Sequence, residues 1–297
     1  MKRKIYRAIV NSVVGTAELT ETFLRVVKNL RPKGAPLVRQ RSKALILGNG
    51  PSLRDDLGAI ERLAADGSVD LWCVNFFANS EAYTTLKPTH YVIADPGHWL
   101  EDITERLRED REKFLDRLER VTQWDLLFHM PYDAKGTEFA ARVMHNKHIR
   151  VRFFNQTAVA CRIRALLFWL YRHELAMPAP QNVLIPTLFL TILSGYERVG
   201  IVGADHSWHR DILVKDSVVM LRDPHFYDDD TELRPFYKNA TETITMAEIF
   251  RIRSIVFTQY DQLSAVARAM QVDVVNSSSV SYIDSFKSRA LSRFQDA

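Results

Sequence analysis

Residues 45–53 read Leu-Ile-Leu-Gly-Asn-Gly-Pro-Ser-Leu, an apolar run that stops at a Gly-Asn-Gly turn and reopens in a helical pattern. An apolar strand followed at once by such a turn and a helix is typical of a parallel α/β sheet. Gly48 and Gly50 permit positive φ and close approach to the backbone, and Pro51 suits a first helical turn. Free N–H groups at a helix start favour an anion. The stretch predicts a phosphate or nucleotide seat, with a tight turn without ligand as the alternative.

The same sequence pattern continues along the chain, with short apolar runs followed by turn residues and then by helical stretches. This alternation predicts a doubly wound, mostly parallel, Rossmann-like α/β sheet with right-handed crossovers. Strands are predicted at 44–48, 70–74, 90–94, 125–129, 198–203 and 272–275. Helices are predicted at 54–65, about 98–118, about 156–174, about 183–195 and about 241–269.

Composition excludes several classes of protein. Hydrophobic residues make up 46% of the 297 and charged residues 26%, which excludes disorder and fibres. Cys73 and Cys161 are the two cysteines, so a disulfide scaffold and a cysteine-based zinc site are excluded. No run of about 18 uncharged apolar residues occurs and no signal peptide is recognisable, so we expect a cytoplasmic protein.

Charge is distributed unevenly along the chain. Residues 1–43 carry 11 Lys and Arg against two Glu, a net charge of +9, which leaves −5 for residues 44–297 of the total +4. The body therefore gives no reason to expect a nucleic-acid partner. Residues 1–42 are predicted to form a basic amphipathic helical arm, and residues 43–297 a nucleotide-binding domain. The arm either packs on the body or a second subunit, or attaches to the anionic inner-membrane surface.

Polar residues are also predicted at the ends of other strands. Asn75 follows the second strand and Asp95 the third, and ligands of open α/β sheets sit at these ends. Both residues could instead satisfy their own turns. Residues 206–240, rich in charge and aromatics with little periodicity from 212 to 238, are predicted to form a lid. Their His and Asp residues lack a fixed ligand spacing, so no metal is expected.

Five features occur in the order found in the bacterial sialyltransferases of glycosyltransferase family 42, which the chain resembles. They are GNGPSL at 48–53, Asn75, the Gly-Tyr-x-x-Val-x-Ile-x-Gly-x-Asp stretch at 195–205, His225, and Asn276-Ser277. The first and third features also resemble the MptE-like 6-hydroxymethylpterin diphosphokinase group. The features from His225 onward favour the sialyltransferases.

The resemblance implies a single α/β domain of the GT-A-variant sialyltransferase type with a mobile lid. It implies transfer of sialic acid from a CMP donor with inversion and without a metal. His225 would be the general base that deprotonates the acceptor hydroxyl, a task that suits neutral imidazole near neutral pH. The residues predicted to contact the nucleotide or donor are Gly48, Asn49, Gly50, Ser52, Asn75, Asp95, Asp205, His206, Asn276 and Ser277.

The chain departs from the family at two places. His206, Ser207, Trp208 and His209 replace the tyrosines that follow the G-x-D turn and steady the departing phosphate, and residues 182–184 replace a Thr-Ser-Gly helix start. Side chains that could donate to the phosphate instead are Tyr227, Tyr237, His206 and Arg234. Tyr227 is therefore predicted beside His225 in the catalytic set.

The leading functional hypothesis is a glycosyltransferase that moves sialic acid or a related acid sugar from a CMP-sugar to a bacterial surface glycan or glycolipid. No cofactor is expected, and assembly into a homo-oligomer is left open. A second hypothesis is an MptE-like diphosphokinase that uses ATP and Mg²⁺ held by Asp95 and Asp205. A third is a non-catalytic nucleotide-binding subunit of a glycan-assembly complex.

Overall fold

The structure, a computed structural model, describes residues 2–222, 225–227 and 232–296, with side chains from residue 15 onward. Its strands are β1 (Lys43–Leu47), β2 (Val69–Val74), β3 (His90–Val92), β4 (Leu126–Pro131), β5 (Ile149–Phe154), β6 (Arg198–Val202), β7 (Ile212–Lys215), β8 (Val218–Leu221), β9 (Arg234–Pro235), β10 (Asp273–Asn276) and β11 (Lys287–Ser288). Its α-helices are α1 (Lys2–Lys28), α2 (Leu53–Ala65), α3 (Ala82–Leu86), α4 (Glu105–Val121), α5 (Glu138–His145), α6 (Arg164–Arg172), α7 (Leu184–Leu193) and α8 (Met246–Ala269).

Eight strands form one parallel sheet in the order β11-β10-β6-β1-β2-β3-β4-β5. Successive side chains of β1 are buried on opposite faces of the sheet. Ala44 and Ile46 belong to the apolar cluster beneath α6, α7 and α8, whereas Leu45 and Leu47 belong to the cluster beneath α2 to α5. A strand whose two faces are both buried needs the uninterrupted apolar run that the sequence supplies. The prediction of a doubly wound, mostly parallel α/β sheet is confirmed.

The edge strand β5 was not predicted. Arg150 and Arg152 interrupt its apolar residues, so its sequence does not have the pattern of a buried strand. Arg152 is nevertheless fully buried, because its guanidinium donates to Glu174 at 2.6 Å and to the Ala35 carbonyl at 2.7 Å. The helix predicted at about 156–174 is correspondingly shorter, since α6 begins only at Arg164. The short helices α3 and α5 were not predicted either.

Part of the predicted lid has regular structure. β7 and β8 form an antiparallel hairpin whose turn residues, Asp216 and Ser217, both have positive φ, and β9 pairs with β8. Val219 of this small sheet packs against Ile244, which precedes α8, and against Ile249, which lies within α8. The low periodicity of residues 212–238 did not indicate these strands. That the segment acts as a lid stays a prediction.

The basic arm contains one helix, α1, which lies against the chain's own body. The Thr22 hydroxyl is buried and donates to the Ala160 carbonyl at 2.8 Å, and Glu18 pairs with Arg162 at 3.0 Å. Val26 packs against the core beneath α6 to α8. Within the described part of the chain, no helix has the length and apolarity needed to cross a bilayer.

Candidate functional site

The sheet reverses its direction of growth between β1 and β6. The chain builds outward from β1 to β5 and then returns to place β6 on the other side of β1. At such a switch point the connections leave in opposite directions, which opens a crevice at the carboxyl ends of the two strands. A crevice of about 150 Å³ lies here, lined by residues 49–51, 74–75, 182–184 and 205–208 with Gly203, Asp211, Arg222 and His225.

Gly48 and Gly50 are required by contact between the two strand ends. Their N–H groups donate to the carbonyls of Val202 and Gly203, both at 2.8 Å. A Cβ on Gly50 would lie 2.6 Å from the Gly203 oxygen and would collide with the Asp205 carboxylate. Neither glycine has positive φ, whereas Gly203 does, at 63°. Of the two reasons predicted for Gly48 and Gly50, positive φ is wrong, whereas close approach of the backbone is what the structure shows.

The start of α2 is capped by the protein's own carboxylate. Asp205 accepts from the Ser52 hydroxyl at 2.5 Å and from the Ser52 N–H at 3.1 Å. Burial raises the pKa of the Asp205 carboxyl, and the two Ser52 hydrogen bonds oppose that rise. Asp55 and Asp56 add negative charge in the first turn of α2. The anion-binding site predicted at this helix start is therefore occupied by the carboxylate of Asp205. Ser52 is not among the residues that line the crevice.

Asn49 and Asn75 line the crevice, and among the described residues each has a buried side-chain oxygen without a hydrogen-bond partner. The Asn49 amide nitrogen donates to the Val74 carbonyl at 3.3 Å, while its Oδ1 is buried without a hydrogen-bond partner. Asn75 has a φ of 48°, and its Oδ1 is likewise buried and unpaired among the described residues. A buried acceptor without a donor costs free energy. The two oxygens therefore suit a ligand that supplies N–H or O–H groups.

His225 reaches the crevice because Phe226 anchors its segment. The Phe226 N–H donates to the Asn49 carbonyl at 3.0 Å, its carbonyl accepts from Arg54 Nε at 2.9 Å, and its buried ring packs on Phe77. The His225 imidazole stacks on the Tyr227 ring with centroids 5.1 Å apart. Tyr227 is not among the lining residues. Asp223, Pro224 and Asp228 to Asp230 lie outside the described residues.

His206 lines the crevice as a buried neutral group. Its Nε2 lies 2.7 Å from the Tyr260 hydroxyl, and its ring packs on Trp208 at 4.1 Å. Burial, with a smaller contribution from the nearby Arg253, lowers the pKa of His206 to about 3. Its φ is 54°, a conformation that side-chain-bearing residues seldom adopt outside constrained sites. His206 can exchange hydrogen bonds with a ligand but offers no positive charge to a phosphate.

Besides Gly48, Ser52 and Tyr227, three further predicted site residues do not line the crevice. Asp95 is exposed and accepts from the Gly97 N–H at 2.8 Å, so it caps its own turn. Asn276 donates to the Ile283 carbonyl at 3.2 Å, and the Ser277 N–H donates to the Ile201 carbonyl at 2.8 Å. Asn276 and Ser277 thereby shape the loop after β10.

That loop supports Asp205 from behind. The Ser278 hydroxyl accepts from the Ala204 N–H at 3.1 Å, and the Tyr282 N–H donates to the Asp205 carbonyl at 2.9 Å. Asn276 and Ser277 therefore order the loop that supports the turn at Asp205, and they do not line the crevice themselves.

Sequence reasoning missed Arg222 as a lining residue. Arg222 follows β8, is exposed, and is fixed by its N–H, which donates to the Asp211 carbonyl at 3.0 Å. Tyr237 and Arg234, the predicted alternatives, do not line the crevice. The position of Arg222 three residues before His225 was the available signal. Asn182 was noted only as a departure from the family. Its Oδ1 accepts from the Leu184 N–H at 2.8 Å, which places the start of the buried helix α7 at the crevice.

The described part of the chain holds no group of three or more His, Cys, Asp or Glu side chains arranged to bind a metal ion. Asp205 and Asp211 are the acidic residues among those that line the crevice, and both carboxylate oxygens of Asp205 accept hydrogen bonds from Ser52.

The similarity of this chain to known proteins is weak and structural. No family model matches the chain, and no curated protein matches it significantly. A solved structure of the MAf glycosyltransferase from Magnetospirillum magneticum AMB-1 superposes with a TM-score of 0.49 at 11% sequence identity. The alignment covers 92% of this chain, which spans 38% of the length of that one. A similarity of this size establishes neither a shared family nor a shared activity.

Proposed function

We propose that this protein is a glycosyltransferase that moves sialic acid or a related acid sugar from a CMP donor to a hydroxyl of a surface glycan or glycolipid. The observation that carries the proposal is the crevice at the β1–β6 switch point, where the unpaired oxygens of Asn49 and Asn75 lie with the imidazole of His225. A nucleotide site and a candidate base are thereby joined in one cleft.

The two amide oxygens fit a nucleoside. Cytosine offers an exocyclic amine and ribose offers hydroxyls, so either part of the donor can satisfy Asn49 and Asn75. Binding would remove the cost of two buried unpaired acceptors.

Arg222 and the start of α7 suit the single phosphate of the donor. Arg222 supplies a permanent positive charge and several N–H donors. The start of α7 at Asn182 and Leu184 adds the positive end of a ten-residue helix. We assign the phosphate to this side because Asp205 already fills the start of α2.

The proposed reaction is a direct displacement. His225 takes the proton from the acceptor hydroxyl as the oxygen attacks the anomeric carbon. The bond from that carbon to the phosphate oxygen breaks, and CMP leaves with the electron pair. One displacement inverts the anomeric centre. Arg222 would stabilise the charge that develops on the phosphate.

The competing functions predict different ligands. A diphosphokinase needs carboxylates for Mg²⁺, yet Asp95 lies outside the crevice and Asp205 is bound to Ser52. A non-catalytic subunit would bind nucleotide without turning over a sugar donor.

Thermal shift with CMP, CDP, UDP, GDP and ATP, each with and without Mg²⁺, separates these functions. The proposal predicts that CMP or CDP raises the melting temperature without metal and that a CMP-sugar is then consumed in the presence of an acceptor. Stabilisation by ATP with Mg²⁺ alone would contradict it. Nucleotide binding with no turnover of any CMP-sugar would favour the non-catalytic subunit.

A further inference from the structure

The exposed face of α1 carries a stripe of large apolar side chains. Phe23 is 67% exposed, Leu24 60% and Val27 55%, and Leu30, just past the helix, is 62% exposed. We propose that this stripe, Phe23, Leu24, Val27 and Leu30, docks α1 on the surface of an anionic lipid bilayer. The inference does not rest on the proposed glycosyl transfer.

The stripe is not the side of α1 that packs against the body of the protein. The opposite side of the same helix is already seated, because Thr22 is buried against Ala160 and Val26 packs on the core. The helix is thus held to the body along one side and presents an apolar side outward. Apolar side chains on the outward side contribute no hydrophobic stabilisation while they are exposed to water.

The sequence continues the same apolar spacing toward the start of the chain. Ile5 and Ile9 precede Phe23 and Val27 by 18 residues each, which is five turns of an α-helix. The helix assignment runs without a break from Lys2 to Lys28. The sequence therefore repeats the apolar positions along the length of α1.

Charge selects the kind of surface. Residues 1–43 carry a net charge of +9, and Lys28, Arg31 and Lys33 follow closely on the stripe. An interfacial helix of this kind inserts its apolar side at the acyl boundary while Lys and Arg reach the anionic headgroups. A second copy of the chain would bring an equally basic arm against this one, so like charges would oppose a dimer through the same face.

Flotation of the full chain with lipid vesicles tests the inference. One set of vesicles is phosphatidylcholine alone, and the other contains about a third phosphatidylglycerol. We expect binding to the anionic vesicles only, with affinity that falls as salt rises. The double variant Phe23→Ser, Val27→Ser should bind the anionic vesicles at least about tenfold more weakly. Both side chains are exposed, so the fold should be unchanged by circular dichroism and melting temperature.

Leu100→Ser is the matched control. Leu100 is 50% exposed but lies beside Glu101 and Asp102, away from any basic helix. Its binding to anionic vesicles should equal that of the parent. Equal binding of the parent and the double variant would overturn the inference, as would equal binding of the parent to neutral and anionic vesicles. A parent that is dimeric in sedimentation, ignores vesicles and becomes monomeric in the double variant would assign the stripe to a second copy and overturn it too.

Discussion

His225 owes its place to its neighbour, since the Phe226 backbone is bonded to Asn49 and Arg54 and its ring is buried. Replacing His225 should therefore remove a base without moving the nucleotide site. We expect His225→Gln to lower kcat by about 10²–10⁴-fold while CMP affinity changes by less than about threefold. Steady-state kinetics at saturating donor and acceptor, with calorimetry for CMP, check both quantities.

His145→Gln is the matched control for that variant, because His145 is an exposed histidine at the end of α5. It should leave both quantities at parental values. A well-folded His225→Gln protein with near-parental kcat would remove His225 from the chemistry.

At the residue scale, the sequence located part of the site. Asn49, Asn75 and His225 were predicted and do line the crevice. Asp95 was misplaced because a polar residue after a strand can equally cap its own turn, as it does here toward Gly97. Arg222 was missed because its position depends on the β7–β8 hairpin, whose pairing no local pattern predicted.

At the scale of elements, the β1–α2 turn depends on Gly50. A side chain there would meet the Gly203 carbonyl, a backbone atom that cannot move without shifting β6. We expect Gly50→Ala to lower the free energy of unfolding by about 1–3 kcal/mol, as overpacking does. Urea denaturation measures the change.

Gly58→Ala is the matched control within α2. A Cβ at Gly58 meets nothing closer than Arg62 at 3.9 Å, so alanine should stabilise the exposed helix position by about 0.5–1 kcal/mol. Changes of the same sign and size in both variants would mean that the contact between the two strand ends is not what requires Gly50.

The central strands and long helices followed from apolar periodicity, because burial on both faces of the sheet leaves a continuous signal. β5 did not, because its buried Arg152 depends on Glu174, which is distant in sequence. The two-residue turn at Asp216 and Ser217 was also invisible, since neither residue is the glycine that usually marks positive φ.

At the scale of the whole molecule, four buried histidines should make stability depend on pH. Burial lowers the pKa of His90 and His206 to about 3 and that of His98 to about 4, and holds that of His129 well below its usual range. The unfolded chain binds protons as the pH falls through about 6.5, whereas the native state does not. The stability that these histidines contribute is therefore fully present above about pH 7 and is lost from about pH 6.5 down to their native pKa values of about 3 to 4.

We expect each of these histidines to lower the free energy of unfolding by about 1 kcal/mol at about pH 5.5, relative to its value at about pH 7.5. Burial raises the pKa of Asp56 and Asp205, which acts in the opposite sense, because these native carboxyls bind protons above the ordinary value of about 4 and so add stability as the pH falls toward it. Urea midpoints at about pH 7.5 and 5.5 measure the loss for the parent and for His98→Asn. A variant that loses as much stability as the parent would show that His98 is not one of the groups responsible.

The central claim is that the crevice between β1 and β6 holds a cytidine nucleotide, and calorimetric titration of CMP tests it most directly. The parent should bind CMP without Mg²⁺, and Asn49→Ala should weaken binding by about 1–3 kcal/mol, the loss expected for one or two hydrogen bonds. Asp95→Asn, outside the crevice, should bind as the parent does. Unchanged CMP binding by a folded Asn49→Ala protein, or no binding by the parent, would contradict the claim.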